Sequence, residues 1–142
     1  MKIDKDCIFC KIVAGEIPCF KVYEDDKCIG FMDISPLNTG HLLVVPKEHF
    51  GNILDIDPGT YGHVMGVVCR LSKAVQEVVR PEGMNVLQLN GRAANQVVPH
   101  LHVHLVPRWH GDGIRISEWE PVPGDNESIR STADQIMAKL RQ

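Results

Sequence analysis

Apolar and polar positions along this chain follow two periods, and the places where the period changes mark its elements. Between Asp57 and Pro81, residues Tyr61, Val64, Met65, Val68, Leu71, Val75, Val78 and Val79 recur every three or four positions. That spacing puts them on one helical face and predicts the longest helix of the chain. Asp57 can cap its first N–H groups, Pro58 suits its first turn, and Pro81 with Gly83 ends it. A second stripe, Ile129, Ala133, Ile136, Met137 and Leu140, predicts a final helix over Asn126 to Leu140. Cys7 to Ala14 reads as a short helix, stopped by Gly15 and followed by Pro18.

Elsewhere the period is two or the run is continuously apolar. Phe20 to Tyr23 and Cys28 to Asp33 read as strands joined by the polar turn Glu24-Asp25-Asp26-Lys27. His41 to Val45, a β-branched apolar run stopped by Pro46, reads as a buried strand. Met84 to Leu89 is a further strand, and Asn90-Gly91 opens a polar loop. Over Val98 to Val106 histidine alternates with apolar residues, so a strand there carries His100, His102 and His104 on one face and Leu101, Val103 and Leu105 on the other. Ser35 to Gly40 is a loop, and Gly111, Gly113, Pro121, Pro123 and Gly124 make the chain loop-like after Arg108. Short links between strands and one long helix imply an α+β domain with a mainly antiparallel sheet. A length of 142 residues suits a single domain with one core.

Composition narrows the function. The net charge of −3 argues against a nucleic-acid polymer as partner, and no basic patch suits a membrane surface. No apolar run is long enough to span a bilayer. Met1 to Asp6 is charged and lacks the apolar region of a signal peptide. Five cysteines, an odd number, read as reduced thiols or metal ligands, and the expected location is cytoplasmic. Cys19, Cys28 and Cys69 look like small core residues.

Two clusters carry candidate chemistry. Three of the seven histidines fall within five residues, His100 to His104. A solvent-facing edge would more commonly carry Lys, Glu or Thr, and three consecutive strand ligands fit poorly around one ion. A third reading is catalysis, with one imidazole as nucleophile and its neighbours as orienter and acid. Cys7-x-x-Cys10 is a redox pair at a helix start or half of a zinc site.

The run His100-Leu101-His102-Val103-His104-Leu105-Val106 resembles the signature of the histidine triad family. Asp6 to Pro18 is similar to the start of its Hint-like branch. Phe31 to Pro36 and Gly40 to His49 are similar to its central hairpin, and Asn90-Gly91 and Gln96 stand at its spacing before the triad. The resemblance spans roughly residues 4 to 113, with a C-terminal extension from about residue 109. It implies the histidine triad fold over residues 1–142, completed by homodimerisation.

The function it implies is a nucleotide hydrolase or transferase acting at the α-phosphorus of purine nucleoside monophosphate conjugates of the adenosine phosphoramidate type. The reaction would pass through a covalent nucleotidyl-histidine and require no catalytic metal. Alternatives are a dinucleoside polyphosphate hydrolase and a purine-nucleotide-binding partner protein with low turnover. His102 would be the nucleophile, with a backbone carbonyl fixing its tautomer, and His104 would contact phosphate or protonate the leaving group. Asp33 would bind ribose hydroxyls, although an Asx turn into Ser35-Pro36 explains it as well. Ile8, Phe9, Ile12, Phe31 and Ile34 would line the base pocket. Asn90, Gln96 and the amides of the 94–97 loop would stabilise phosphate. His41 lies at a family position near the site, though a lone strand histidine is commonly just a satisfied one.

In zinc-bearing relatives the positions of His49 and His100 complete the site begun by the two cysteines, so the resemblance implies structural zinc on Cys7, Cys10, His49 and His100. The chain departs from the family pattern at Asn95, where Gly is common, at Val97, where Ser or Thr is common, and at Pro99, where an aromatic is common. Asn tolerates the left-handed backbone a Gly would supply, but Val97 offers no hydroxyl and Pro99 lacks a ladder donor.

Overall fold

The structure, a computed structural model, describes all 142 residues. Its elements in chain order are α1 (Ile8–Val13), β1 (Lys21–Glu24), β2 (Cys28–Met32), β3 (Leu42–Pro46), α2 (Pro58–Val79), β4 (Gly83–Gln88), β5 (Val103–Arg108) and α3 (Asn126–Leu140). Short 3₁₀ turns lie at Arg92–Ala94 and Ile116–Glu118. The five strands form one antiparallel sheet in the order β1-β2-β3-β5-β4. The histidine-bearing strand β5 is thus inserted between β3 and β4 rather than appended. No helix is long and apolar enough to cross a membrane.

The capping residues act as their chemistry requires. The Asp57 carboxylate accepts the Thr60 N–H at 2.9 Å, and Asp125 does the same for Ser128 at the start of α3. Both long helices pack on one face of the sheet. Val64, Val68, Leu71 and Val75 of α2 and Ile129 and Ile136 of α3 meet Cys28, Leu42, Val44, Val103 and Leu105 there. Removing this much apolar surface from water drives the fold. The opposite face carries Ile29, Phe31, Leu43 and Val45 and is covered by Cys7, Phe9 and Cys10 around α1. β2 and β3 are therefore buried on both faces, which is why they read as continuous apolar runs.

Two expectations change. The triad strand pairs only from Val103 onward, where Val44 and Gln88 are its partners on either side. Before it the Leu101 N–H turns to the Phe50 carbonyl at 2.7 Å, and Leu101 packs with Phe50 and Ile56 in a separate small cluster. Alternation along a sequence fixes which face a side chain takes, not whether a neighbouring strand is present to pair. Cys69 is exposed on α2, not core. Cys28 is buried, as expected of a small core residue, and Cys19 is half-buried.

Candidate active site

A cavity of about 310 Å³ opens on the α1 face of the sheet. Its apolar lining comes from Ile8, Phe9 and Ile12 of α1, Phe31 of β2, and Ile17, Pro18, Cys19 and Ile34 in loops. Its polar lining is Asp33, Ser35, Asn95, His102 and His104. A mostly apolar wall with a few polar groups suits a ligand that has a flat apolar part and an anionic one.

Apolar and polar lining residues pack on one another. Phe9 meets the His102 ring edge-on at 5.0 Å between centroids and Phe31 at 5.6 Å. The His102 and His104 rings lie 4.8 Å apart. His102 Nδ1 lies 2.7 Å from the carbonyl oxygen of His100, which can only accept. Nδ1 therefore carries the proton, and Nε2 presents a lone pair to the cavity.

His104 holds the opposite tautomer, and His41 is the reason. The Leu37 N–H donates to His41 Nδ1 at 3.0 Å, so His41 carries its proton on Nε2. That Nε2–H points to His104 Nδ1 at 3.1 Å, with Asp33 Oδ2 farther off at 3.5 Å. His104 Nδ1 is the acceptor, and its proton sits on Nε2. Side by side stand an imidazole with a free lone pair and one with a free N–H. Burial lowers the pKa of His102, His104 and His41, the last to about 4, so all three rings are neutral at pH 7.

Asp33 makes the Asx turn and also faces the cavity: its Oδ1 accepts the Ser35 N–H at 2.8 Å. Asn95 adopts φ 69°, ψ 24°, the left-handed conformation its side chain tolerates, and the loop turns as a glycine would allow.

Asn90 and Gln96 do not reach the cavity. Asn90 Oδ1 accepts from Ile53 N–H at 2.8 Å. Gln96 Nε2 donates to the carbonyls of Gly51 and Val98, and its Oε1 accepts from Gly91 N–H. Gln96 is buried, so its amide must be satisfied internally, and it braces the loop instead of facing a ligand. No intrachain acceptor takes the Val97 or Val98 N–H, and both residues line the cavity.

Trp119 completes the wall beside His104, with centroids 4.7 Å apart, and touches His41 at 5.5 Å. It comes from the same chain's own tail. Asp112 pins that tail: it accepts from Arg108 Nε and Nη2, Asn38 Nδ2, and the N–H groups of Trp109 and Ile114. The sequence offered no signal for this, because the residues meet only through tertiary packing. His41 was detectable as a histidine at a family position, but its bond to His104 was not.

Behind the cavity the four expected metal ligands converge. Cys7 Sγ lies 3.3 Å from His100 Nδ1, Cys10 Sγ 3.4 Å from His49 Nδ1 and 3.6 Å from His100 Nδ1, and the two Nδ1 atoms are 3.1 Å apart. His100 Nε2 donates to the Pro46 carbonyl at 2.8 Å, which leaves a lone pair on Nδ1 facing the thiols. A zinc tetrahedron with ligand distances of about 2.0–2.3 Å has N···N and N···S edges of about 3.3–3.6 Å, so this donor set fits one. Such an ion would offset charge and cross-link the elements that hold it. His100 thus leaves the triad's cavity, and a tris-imidazole metal site is not built.

Comparison with known proteins places the fold in a family. The HIT domain model matches residues 14–111. The adenosine 5'-monophosphoramidase hnt1 of Schizosaccharomyces pombe is 38% identical over 136 residues, covering 95% of this chain and 98% of its own. The crystal structure of a Hit-like protein from Bartonella henselae superposes with a TM-score of 0.86 at 38% identity, covering 97% of this chain and 98% of that one. A Zn-bound histidine triad family protein from Mycobacterium smegmatis superposes with a TM-score of 0.85 at 34% identity, covering 96% and 94%. With its two cavity histidines in opposite tautomers on an antiparallel sheet of the same shape, this chain belongs to the HIT domain family.

Proposed function

We propose that the protein is a phosphoramidase-like nucleotide hydrolase, cleaving at the α-phosphorus of purine nucleoside monophosphate conjugates. The observation that carries this is the tautomer pair: a lone pair on His102 Nε2 next to an N–H on His104 Nε2. The S. pombe relative's name supports the substrate class. The base would lie between Ile8, Phe9, Phe31 and Ile34, and the ribose hydroxyls on Asp33.

His102 Nε2 attacks phosphorus, forming a P–N bond as the bond to the leaving amine breaks. His104 Nε2–H hydrogen-bonds to the leaving amine, which departs with a proton taken from solvent. Water then attacks phosphorus and breaks the P–N bond to His102; its proton returns to solvent as AMP departs. The free N–H groups of Val97 and Val98, not the side chains of Asn90 and Gln96, would face the developing charge. Structural zinc on Cys7, Cys10, His49 and His100 belongs to the same reading. So does a homodimer sealed along β4, the open sheet edge on which Val86 is 45% exposed.

Val97 favours a second reading, a nucleotide-binding protein of low turnover, because it supplies no hydroxyl to the phosphate. Intact-protein mass spectrometry after brief mixing with adenosine 5'-phosphoramidate separates the two. A transient AMP adduct on wild type and none on His102→Ala supports the hydrolase. AMP release by His102→Ala at the wild-type rate refutes the nucleophile, and binding without release favours the second reading.

A further inference from the structure

The metal-ligand cluster and the nucleotide cavity share two pieces of backbone. Cys7 is the N-cap of α1, its Sγ accepting the Cys10 N–H at 3.4 Å, and Cys10 lies in the helix's first turn. Between them Phe9 packs edge-on against His102. α1 has only six residues, too few to hold its shape alone. Its polar ties to the sheet side of the protein run through the two thiols to His49 and His100. The His100 carbonyl, on the same residue that offers Nδ1 to the cluster, holds the His102 Nδ1–H.

We propose that the Cys7, Cys10, His49 and His100 cluster is a positioning device for nucleotide binding: metal held there docks α1 as the base wall and fixes the carbonyl that orients His102. This rests on the nucleotide reading given above. Without the ion, α1 is held by the packing of Phe9 on the sheet and by weak thiol–imidazole hydrogen bonds, and it is docked for a smaller fraction of the time. Docking α1 about one tenth of the time would weaken nucleotide binding about tenfold, since apparent affinity scales with the competent fraction.

The test compares zinc-loaded, chelator-stripped and zinc-restored protein, alongside Cys10→Ser. AMP affinity is measured by calorimetry and backbone protection by hydrogen exchange. Expected are one zinc per chain, a tenfold or greater rise in the Kd for AMP on stripping, and recovery on restoring zinc. Faster exchange should be confined to residues 8–13 and 100–102, with α2 and α3 unchanged, and Cys10→Ser should behave as the stripped protein does. Equal AMP affinity with and without zinc overturns the proposal, as does failure to bind zinc. Loss of protection throughout α2 and α3 overturns it too, because the metal would then hold the whole fold and not the site. Failure of the zinc-loaded protein to bind AMP would fell the nucleotide reading instead. The exchange pattern would still decide whether zinc docks α1.

Discussion

His41 makes acid sensitivity a sharp test of the site's wiring. It is fully buried and neutral, its pKa lowered from 6.5 to about 4 chiefly by burial. In the unfolded chain it regains an ordinary value. The unfolded state therefore binds more protons than the folded one below pH 6.5. Stability is complete above that pH and is lost as the pH falls toward 4. With these two values, linkage gives a loss of about 2 kcal/mol between pH 7 and pH 5 from His41 alone. His104 shifts in the same direction, so the wild-type loss is larger. His41→Phe keeps a ring against Trp119 and His104 but removes the titration. It also leaves the Leu37 N–H without its acceptor and His104 Nδ1 without its donor, an offset of about 1–3 kcal/mol for each at every pH. Urea unfolding, followed by tryptophan fluorescence from pH 7.5 to 4.5, separates slope from offset. The variant should be less stable at pH 7 yet lose about 2 kcal/mol less than wild type on going to pH 5. Carboxylates contribute little in this window, because those with lowered pKa titrate in the unfolded chain near 3.8. Parallel stability curves for the two proteins would refute the buried, neutral His41 and the tautomer assignment built on it.

Other substitutions probe other parts. Asp112→Ala removes the acceptor of five hydrogen bonds at the tail and should lower the urea midpoint, with a change in Trp fluorescence as Trp119 loosens. Val97 is 69% exposed at the cavity, so Val97→Ser should change stability by no more than about 0.5 kcal/mol while raising phosphoramidate turnover severalfold in a steady-state assay. Gly40→Ala forces a Cβ onto a φ of +89° and within 3.1 Å of Pro107, so its thermal midpoint should fall, by about 1–3 kcal/mol in stability. Cys69→Ser, on the exposed side of α2, should leave the melting temperature unchanged.

The sequence disclosed what is local. The stripe from Tyr61 to Val79 and the caps at Asp57 and Pro58 predict α2 because each is written in consecutive turns. The alternation from His100 to His104 rightly separated imidazoles from core residues, since Val103 and Leu105 do face the helices. It overstated the pairing, because the partner strands come from residues 42–44 and 83–88, which the local pattern does not address. Cys69 was misplaced for a related reason. A cysteine amid apolar neighbours on a helix covered on one side can fall on either face. Asn90 and Gln96 carry the right groups for phosphate, but Asn90 is taken up by the Ile53 N–H and the Gln88 side chain, and the buried Gln96 by the backbone of Gly51, Gly91 and Val98. Trp119 and Asp112 belong to a loop-like tail whose place depends on residues distant in sequence, such as Asn38, 74 positions before Asp112.

The insertion of β5 between β3 and β4 also bears on how the chain matures. Until residues 103–108 exist, the first three strands and β4 have no common neighbour, and the sheet cannot close. Cys7 must likewise wait for a partner 93 positions later. Contacts this distant in sequence slow the search for the native topology. A nascent chain paused before Leu101 would leave the β3 edge unpaired and bare the part of α2 that meets Val103, Leu105 and α3. Such a chain is a natural client for a chaperone, and the finished molecule gains its cavity and its cysteine–histidine cluster in the same late event.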